Sequence, residues 1–156
     1  MCKWFNDIAV KSQPWTWVIL RVIAGIMFLM HGLPKLFGEN AASITGGPGM
    51  LGLNIGINVF FIAGVIEVVG GLLLIVGLFT RYAALASAVL MVFAYLQAHT
   101  PLMREDITSW FNPLANGGEL ALMYLFVWLV FFAYGPGKYS LDETVCKNWC
   151  KPKKKK

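Results

Sequence analysis

Six ionisable side chains stand within or at the edges of otherwise apolar stretches of this sequence: Arg21, His31, Lys35, Glu67, His99 and Glu119. A carboxyl in apolar surroundings can exchange protons, and a neutral imidazole can hydrogen-bond a carbonyl or relay a proton. Together these types suit contact with a lipophilic carrier such as a quinone. Glu67, His31, His99 and Arg21 are the candidates for catalytic chemistry. Arg21, His31, Lys35, Glu67, His99 and Glu119 are the candidates for holding a cofactor. Haem ligation by His31 and His99 is disfavoured, because two isolated histidines on different segments make a weak ligand signal. A metal site built from two histidines with Glu67 and Glu119 is not expected either, since no histidine or carboxylate pair stands at i, i+3 or i, i+4, and no Cys/His zinc spacing occurs.

The elements that carry these residues follow from composition. The 156 residues are 58% hydrophobic and only 13% charged, with a mean hydropathy of +0.65. A soluble domain is usually nearer half apolar and a quarter charged. The apolar residues gather into continuous runs that predict spans at about 15–37, 59–79, 82–99 and 119–135. Each approaches the roughly 20 residues that cross a bilayer as helix. Alternating segments of a membrane barrel are not seen, and Arg21, His31 and Lys35 break up what would be the charge-free heart of a signal peptide. The sequence therefore predicts an all-α integral membrane protein: a four-helix transmembrane bundle over 15–137, preceded by a segment at 1–14 and followed by a tail at 138–156.

Charge placement predicts orientation. Lys3, Lys11, Arg21 and Arg81 fall towards one side with the seven lysines of the tail, whereas the other two loops add only Lys35 and Arg104. Positive residues favour the cytoplasmic side, so both termini are expected there, with loops 38–58 and 100–118 outside. The three cysteines would then face a reducing compartment, which argues against disulfides. Cys146 and Cys150 read as two exposed thiols. The formal net charge of +5 resides wholly in the tail, since residues 1–137 hold six basic and six acidic groups. Such a tail suits anionic lipid and gives no reason to expect nucleic acid as a partner.

Helical rise places Glu67 about 3 Å outside the bilayer centre, His31 about 9 Å, and His99 and Glu119 about 12 Å, with Arg21 about 6 Å to the inner side. Lys35 falls near the outer boundary and reads, like Glu119, as an interface residue. Gly56, Ala63, Gly70 and Gly77 recur every seven residues and predict a close-packing stripe, beside which Glu67 points inward. Arg21, Gly25, Phe28, Gly32 and Lys35 share a stripe on the first span. A buried pair between Arg21 and Glu67 is expected.

The stretch from Arg21 to Gly38, ending His31-Gly32-Leu33-Pro34-Lys35-Leu36-Phe37-Gly38, resembles the first-span signature of the DoxX family. Glu67-Val68-Val69-Gly70-Gly71, Thr80-Arg81, Gly117-Gly118-Glu119 and Gly135-Pro136-Gly137 leading to Ser140-Leu141-Asp142 extend the resemblance over about 15–142. It implies a four-helix, multi-pass inner-membrane protein of bacteria or archaea. It also implies association with quinone-linked oxidation and with membrane redox-stress complexes that include soluble partners. The lysine tail and the Cys146/Cys150 pair stand outside that pattern.

The resulting expectation is a redox-associated membrane subunit that binds a quinone among its helices. If it is an enzyme, it is a subunit of a quinone-linked oxidoreductase. Membrane lipids and protein partners of a redox complex are the expected contacts, and self-association is compatible with them. The alternative is a non-catalytic scaffold or anchor for redox or stress-response proteins. Solute transport is less well supported, because neither an internal repeat nor a pair of broken helices is visible.

Overall fold

The computed structural model describes residues 3–39, 42–44, 58–99 and 112–149, with side chains to 145. Cys2, Cys150, the glycine-rich stretch at 46–49, the segment 102–111 and the lysines of the tail from 151 lie outside the described residues, as does the side chain of Cys146. The described residues form helices α1 (Lys3–Phe37), α2 (Val59–Val76), α3 (Thr80–Ala98), α4 (Pro113–Asn116), α5 (Glu119–Tyr134) and α6 (Leu141–Trp149). Of these, α1, α2 and α3 are long and apolar enough to cross a membrane, and α5 is a shorter apolar helix.

The first helix starts earlier than the apolar pattern suggests. Pro14 removes one backbone donor, yet α1 runs through it from Lys3. Proline's fixed φ is compatible with helix, and its cost is a lost bond with a steric clash one turn back. Hydroxyls flank the site, with Ser12 donating to the Ala9 carbonyl and Thr16 to that of Ser12.

The seams between the helices differ in character. Between α1 and α2 the backbones meet directly. A Cβ on Gly32 would lie 2.8 Å from Glu67 Cβ and 2.9 Å from the Gly64 carbonyl oxygen, and one on Gly71 would lie 2.8 Å from the Gly25 carbonyl oxygen. Only glycine permits that approach. The approach to α1 is made by Gly64 and Gly71, one residue beyond Ala63 and Gly70 of the expected stripe, whereas Gly70 itself faces Ser87 of α3. Between α1 and α5 the seam is aromatic: the Phe28 ring centre lies 4.9 Å from that of Trp128 and 5.6 Å from that of Tyr124. These rings bury apolar area and favour tilted or edge contacts.

The outside of the bundle is apolar, with Ile23, Met30, Val69, Leu72, Val89 and Phe126 all exposed. Its interior holds small residues and polar groups, among them buried Arg21, Glu67, Thr80, Ser87 and Asn116. That distribution suits a hydrocarbon surrounding, where nothing is gained by hiding leucine from solvent.

At one end, here the turn end, α2 stops in a Schellman motif. Gly77 takes φ 70°, its N–H donates to the Leu74 carbonyl, and the Leu78 N–H donates to that of Leu73. Phe79, at φ 49°, leads into α3 without a capping side chain of its own. Asp142 of α6 supplies the cap: its carboxylate accepts from Phe79 N at 2.7 Å and Thr80 N at 2.8 Å, while its own N–H donates to the Gly77 carbonyl. The far end carries the finish of α1 and α3, the start of α2, and α4.

Two outcomes are expected. Gly32→Leu should lower stability by about 1–3 kcal/mol or prevent folding, because overpacking forces the helices apart; thermal unfolding in detergent measures it. Asp142→Ala should cost about 1–2 kcal/mol through loss of the α3 cap, read in the same assay.

Candidate functional site

At the far end, Gly32 lets α2 approach so closely that a lysine one turn on reaches across. Lys35 Nζ donates to both Glu67 carboxylate oxygens, at 2.6 and 2.7 Å. The Glu67 side chain is 5% exposed and that of Lys35 is 32% exposed. The carboxylate is therefore inside the bundle while the ammonium stays reachable from its surface. Charge-assisted bonds to both oxygens satisfy most of what a buried carboxylate needs.

This replaces the expected Arg21–Glu67 pair. Because α1 and α2 are antiparallel, Arg21 lies level with Gly77, whereas Glu67 lies beside Gly32. Ten residues of α2 separate the two levels, about 15 Å of rise. Lys35 is correspondingly not a mere interface residue. Its estimated depth was misleading because the long stem carries the charge well away from its Cα.

Arg21 has other work. It is buried, and its two terminal nitrogens donate to the carbonyls of Pro136 at 2.7 Å and Tyr139 at 3.1 Å. Trp17 Nε1 donates to the Gly135 carbonyl, and Arg81 donates to those of Phe132 and Ala133 at the end of α5. Ser140 donates to the Gly137 carbonyl and accepts from Glu143 N. The turn end is thus a latch in which α1 and α3 satisfy the carbonyls where α5 stops, a place where helices leave acceptors unpaired. Arg21 is a structural residue of this latch, remote from the Lys35–Glu67 pair.

His31 stays near the pair. Its Nδ1 lies 2.8 Å from the Met27 carbonyl, which fixes Nδ1 as the donor and leaves Nε2 as the acceptor of a neutral ring. The ring is exposed and meets Tyr124 edge-on at 5.8 Å. Tyr124 is buried, with a hydroxyl that has no hydrogen-bond partner among the described residues. His99 belongs elsewhere. Its Nδ1 donates to the Asn116 carbonyl at 3.0 Å, and Asn116 in turn donates to the Tyr95 hydroxyl and accepts from Gly118 N. That clasp fixes the α4–α5 junction on the end of α3. Glu119 is exposed in the first turn of α5, where a carboxylate complements the helix dipole.

The candidate site therefore gathers Lys35, Glu67, His31 and Tyr124, and leaves Arg21, His99 and Glu119 apart. Tyr124 was missed. Its only sequence signal is a phenol within the apolar run of α5, four residues before Trp128. Among the described residues, no three His, Cys, Asp or Glu side chains gather as a metal site would require.

Comparison with known proteins places this arrangement in context. A family model described as DoxX matches residues 16–100. The chain is 42% identical over 138 residues to an uncharacterized protein of Haemophilus influenzae, covering 88% of this chain and 96% of that one. It is 29% identical over 138 residues to an uncharacterized membrane protein of Mycobacterium tuberculosis, covering 84% and 82%. A second Haemophilus influenzae protein is 32% identical over 90 residues, covering 54% of this chain and 55% of its own. No solved structure matches significantly.

The pair has a measurable consequence. Lys35→Met should destabilise the protein by about 2–3 kcal/mol by stranding the buried Glu67. The double variant with Glu67→Met should return to within about 1 kcal/mol of the parent, because two apolar groups need no partner. Thermal unfolding of the four members of this cycle tests the coupling.

Proposed function

The chain belongs to the DoxX family, and from that premise we propose that it is a redox-associated inner-membrane subunit that binds a quinone or similar lipophilic carrier beside the Lys35–Glu67 pair. The protein crosses the membrane four times in this reading. α5 makes the fourth crossing: its 16 residues give about 24 Å of helix, and a bilayer thins modestly around a short span. Both termini lie in the cytoplasm, which puts the latch on the inner side and Lys35, Glu67 and His31 in the outer half.

The observation that supports the site is an ammonium one-third exposed at the apolar flank, locked to a buried carboxylate. A quinone supplies carbonyl acceptors and takes up two electrons and two protons when reduced. Lys35 Nζ retains a third N–H beyond the two given to Glu67, enough to donate to such a carbonyl. His31 Nε2 offers an acceptor for a quinol hydroxyl. Glu67 holds the lysine in place. Electrons come from a protein partner in this reading, since the chemistry-bearing side chains gathered here are acid–base groups.

A second reading, a non-catalytic anchor, draws on the latch. Asp142 and Ser140 seat α6 firmly under the α2–α3 turn, so whatever follows α6 leaves from a fixed platform.

Purification in mild detergent followed by solvent extraction separates the readings. The parent should retain quinone in an amount comparable to the protein, and Lys35→Met/Glu67→Met should retain less than about a tenth, a loss of some 1.4 kcal/mol or more. Equal retention by both, or none by the parent, would sink the carrier reading and leave the anchor.

A further inference from the structure

Where α1, α3 and α5 close around Phe28, the interior contains polar atoms that no described residue satisfies. Trp128 and Ser87 are fully buried, Phe28 is 1% exposed and Tyr124 is 7% exposed. Trp128 Nε1, Tyr124 Oη and Ser87 Oγ have no hydrogen-bond partner among the described residues. Their side chains gather around the Phe28 ring. The Tyr124 and Trp128 rings stack at 5.7 Å, and both contact Phe28. A Cβ on Gly70 would lie 2.9 Å from Ser87 Oγ and 3.8 Å from the Phe28 ring, so Ser87 reaches the same neighbourhood from α3.

Native interiors leave few such atoms unpaired, and three around one ring call for a common explanation. A serine hydroxyl can sometimes turn to a carbonyl of its own helix, but an indole N–H has a fixed direction and only donates. Something at the centre must accept from it.

We propose that ordered water occupies the centre of the bundle between Trp128 Nε1, Ser87 Oγ and Tyr124 Oη. Buried water makes about three hydrogen bonds to otherwise unsatisfied groups, which matches one obligate donor and two hydroxyls able to donate or accept. A bulky ligand is excluded by the near-complete burial of Phe28, Trp128 and Ser87. Thr80 Oγ1 and Arg21 Nε, also unpartnered, lie towards the turn end. The hydration site does not rest on the quinone reading.

The test uses the full chain, labelled with 15N at its indoles, in detergent micelles stripped of quinone. The Trp128 Nε1–H signal, identified by its loss in Trp128→Phe, should show a cross-relaxation peak to long-lived water, and that peak should weaken at least twofold in Ser87→Ala. Tyr124→Phe should lower the Tm by a few degrees, since it takes away a bonded hydroxyl. Infrared difference spectra in 18O water give a reading that needs no Trp128 variant: an internal O–H band should shift with the isotope and be lost in Ser87→Ala. A water-silent Trp128 signal, a cross-peak to detergent instead, an isotope-insensitive spectrum, or a Tm unchanged or raised by Tyr124→Phe would overturn the proposal.

Discussion

A polar group that faces hydrocarbon finds no water to replace a missing partner. In this bundle that constraint governs the ends of the helices as much as their middles. Where α5 stops, its last carbonyls and those of the following turn are taken up by Arg81, Trp17 and Arg21 from two other helices. Where α3 starts, its first donors are taken up by Asp142. The glycine seam between α1 and α2 can then run without side chains, because the termini hold the helices in register.

The same constraint separates two kinds of buried charge. Arg21 is spread over backbone carbonyls, which places it in the latch and removes it from chemistry. Lys35 and Glu67 are spent on each other, with the ammonium left partly open to the surroundings. A charge committed to the backbone fixes shape, whereas a charge pair at an accessible flank retains a site that a small molecule can approach. The far end therefore holds the accessible charge pair and the turn end the latch.

Much of this was legible from residue types and periodicity, and what was not has definite physical reasons. The apolar runs marked the helices, and the seven-residue spacing turned Glu67 inward, as found. Periodicity gives direction around one helix but not the offset between two, so Arg21 was paired with Glu67 although the Gly25–Gly71 and Gly32–Gly64 contacts place it ten residues away. Depth reckoned from Cα positions missed the reach of the Lys35 stem. The seven-residue spacing picked out Gly70 but not Gly64 and Gly71, on which α1 packs, because which face of a helix meets which neighbour is a tertiary fact. His99 and Asn116 form a clasp across two elements that no spacing within either could reveal. Conversely, the motifs Thr80-Arg81, Gly135-Pro136-Gly137 and Ser140-Leu141-Asp142, scattered along the chain, meet with Arg21 in one latch.

The cap on α3 also has a temporal meaning. Its first donors bond to a residue 62 positions further along the chain. During synthesis at about 5–20 residues per second, some 3–12 seconds separate the making of Thr80 from the making of Asp142. Until Asp142 has been made, the N-terminus of α3 lacks this cap, so the turn end can close only after the chain has reached α6.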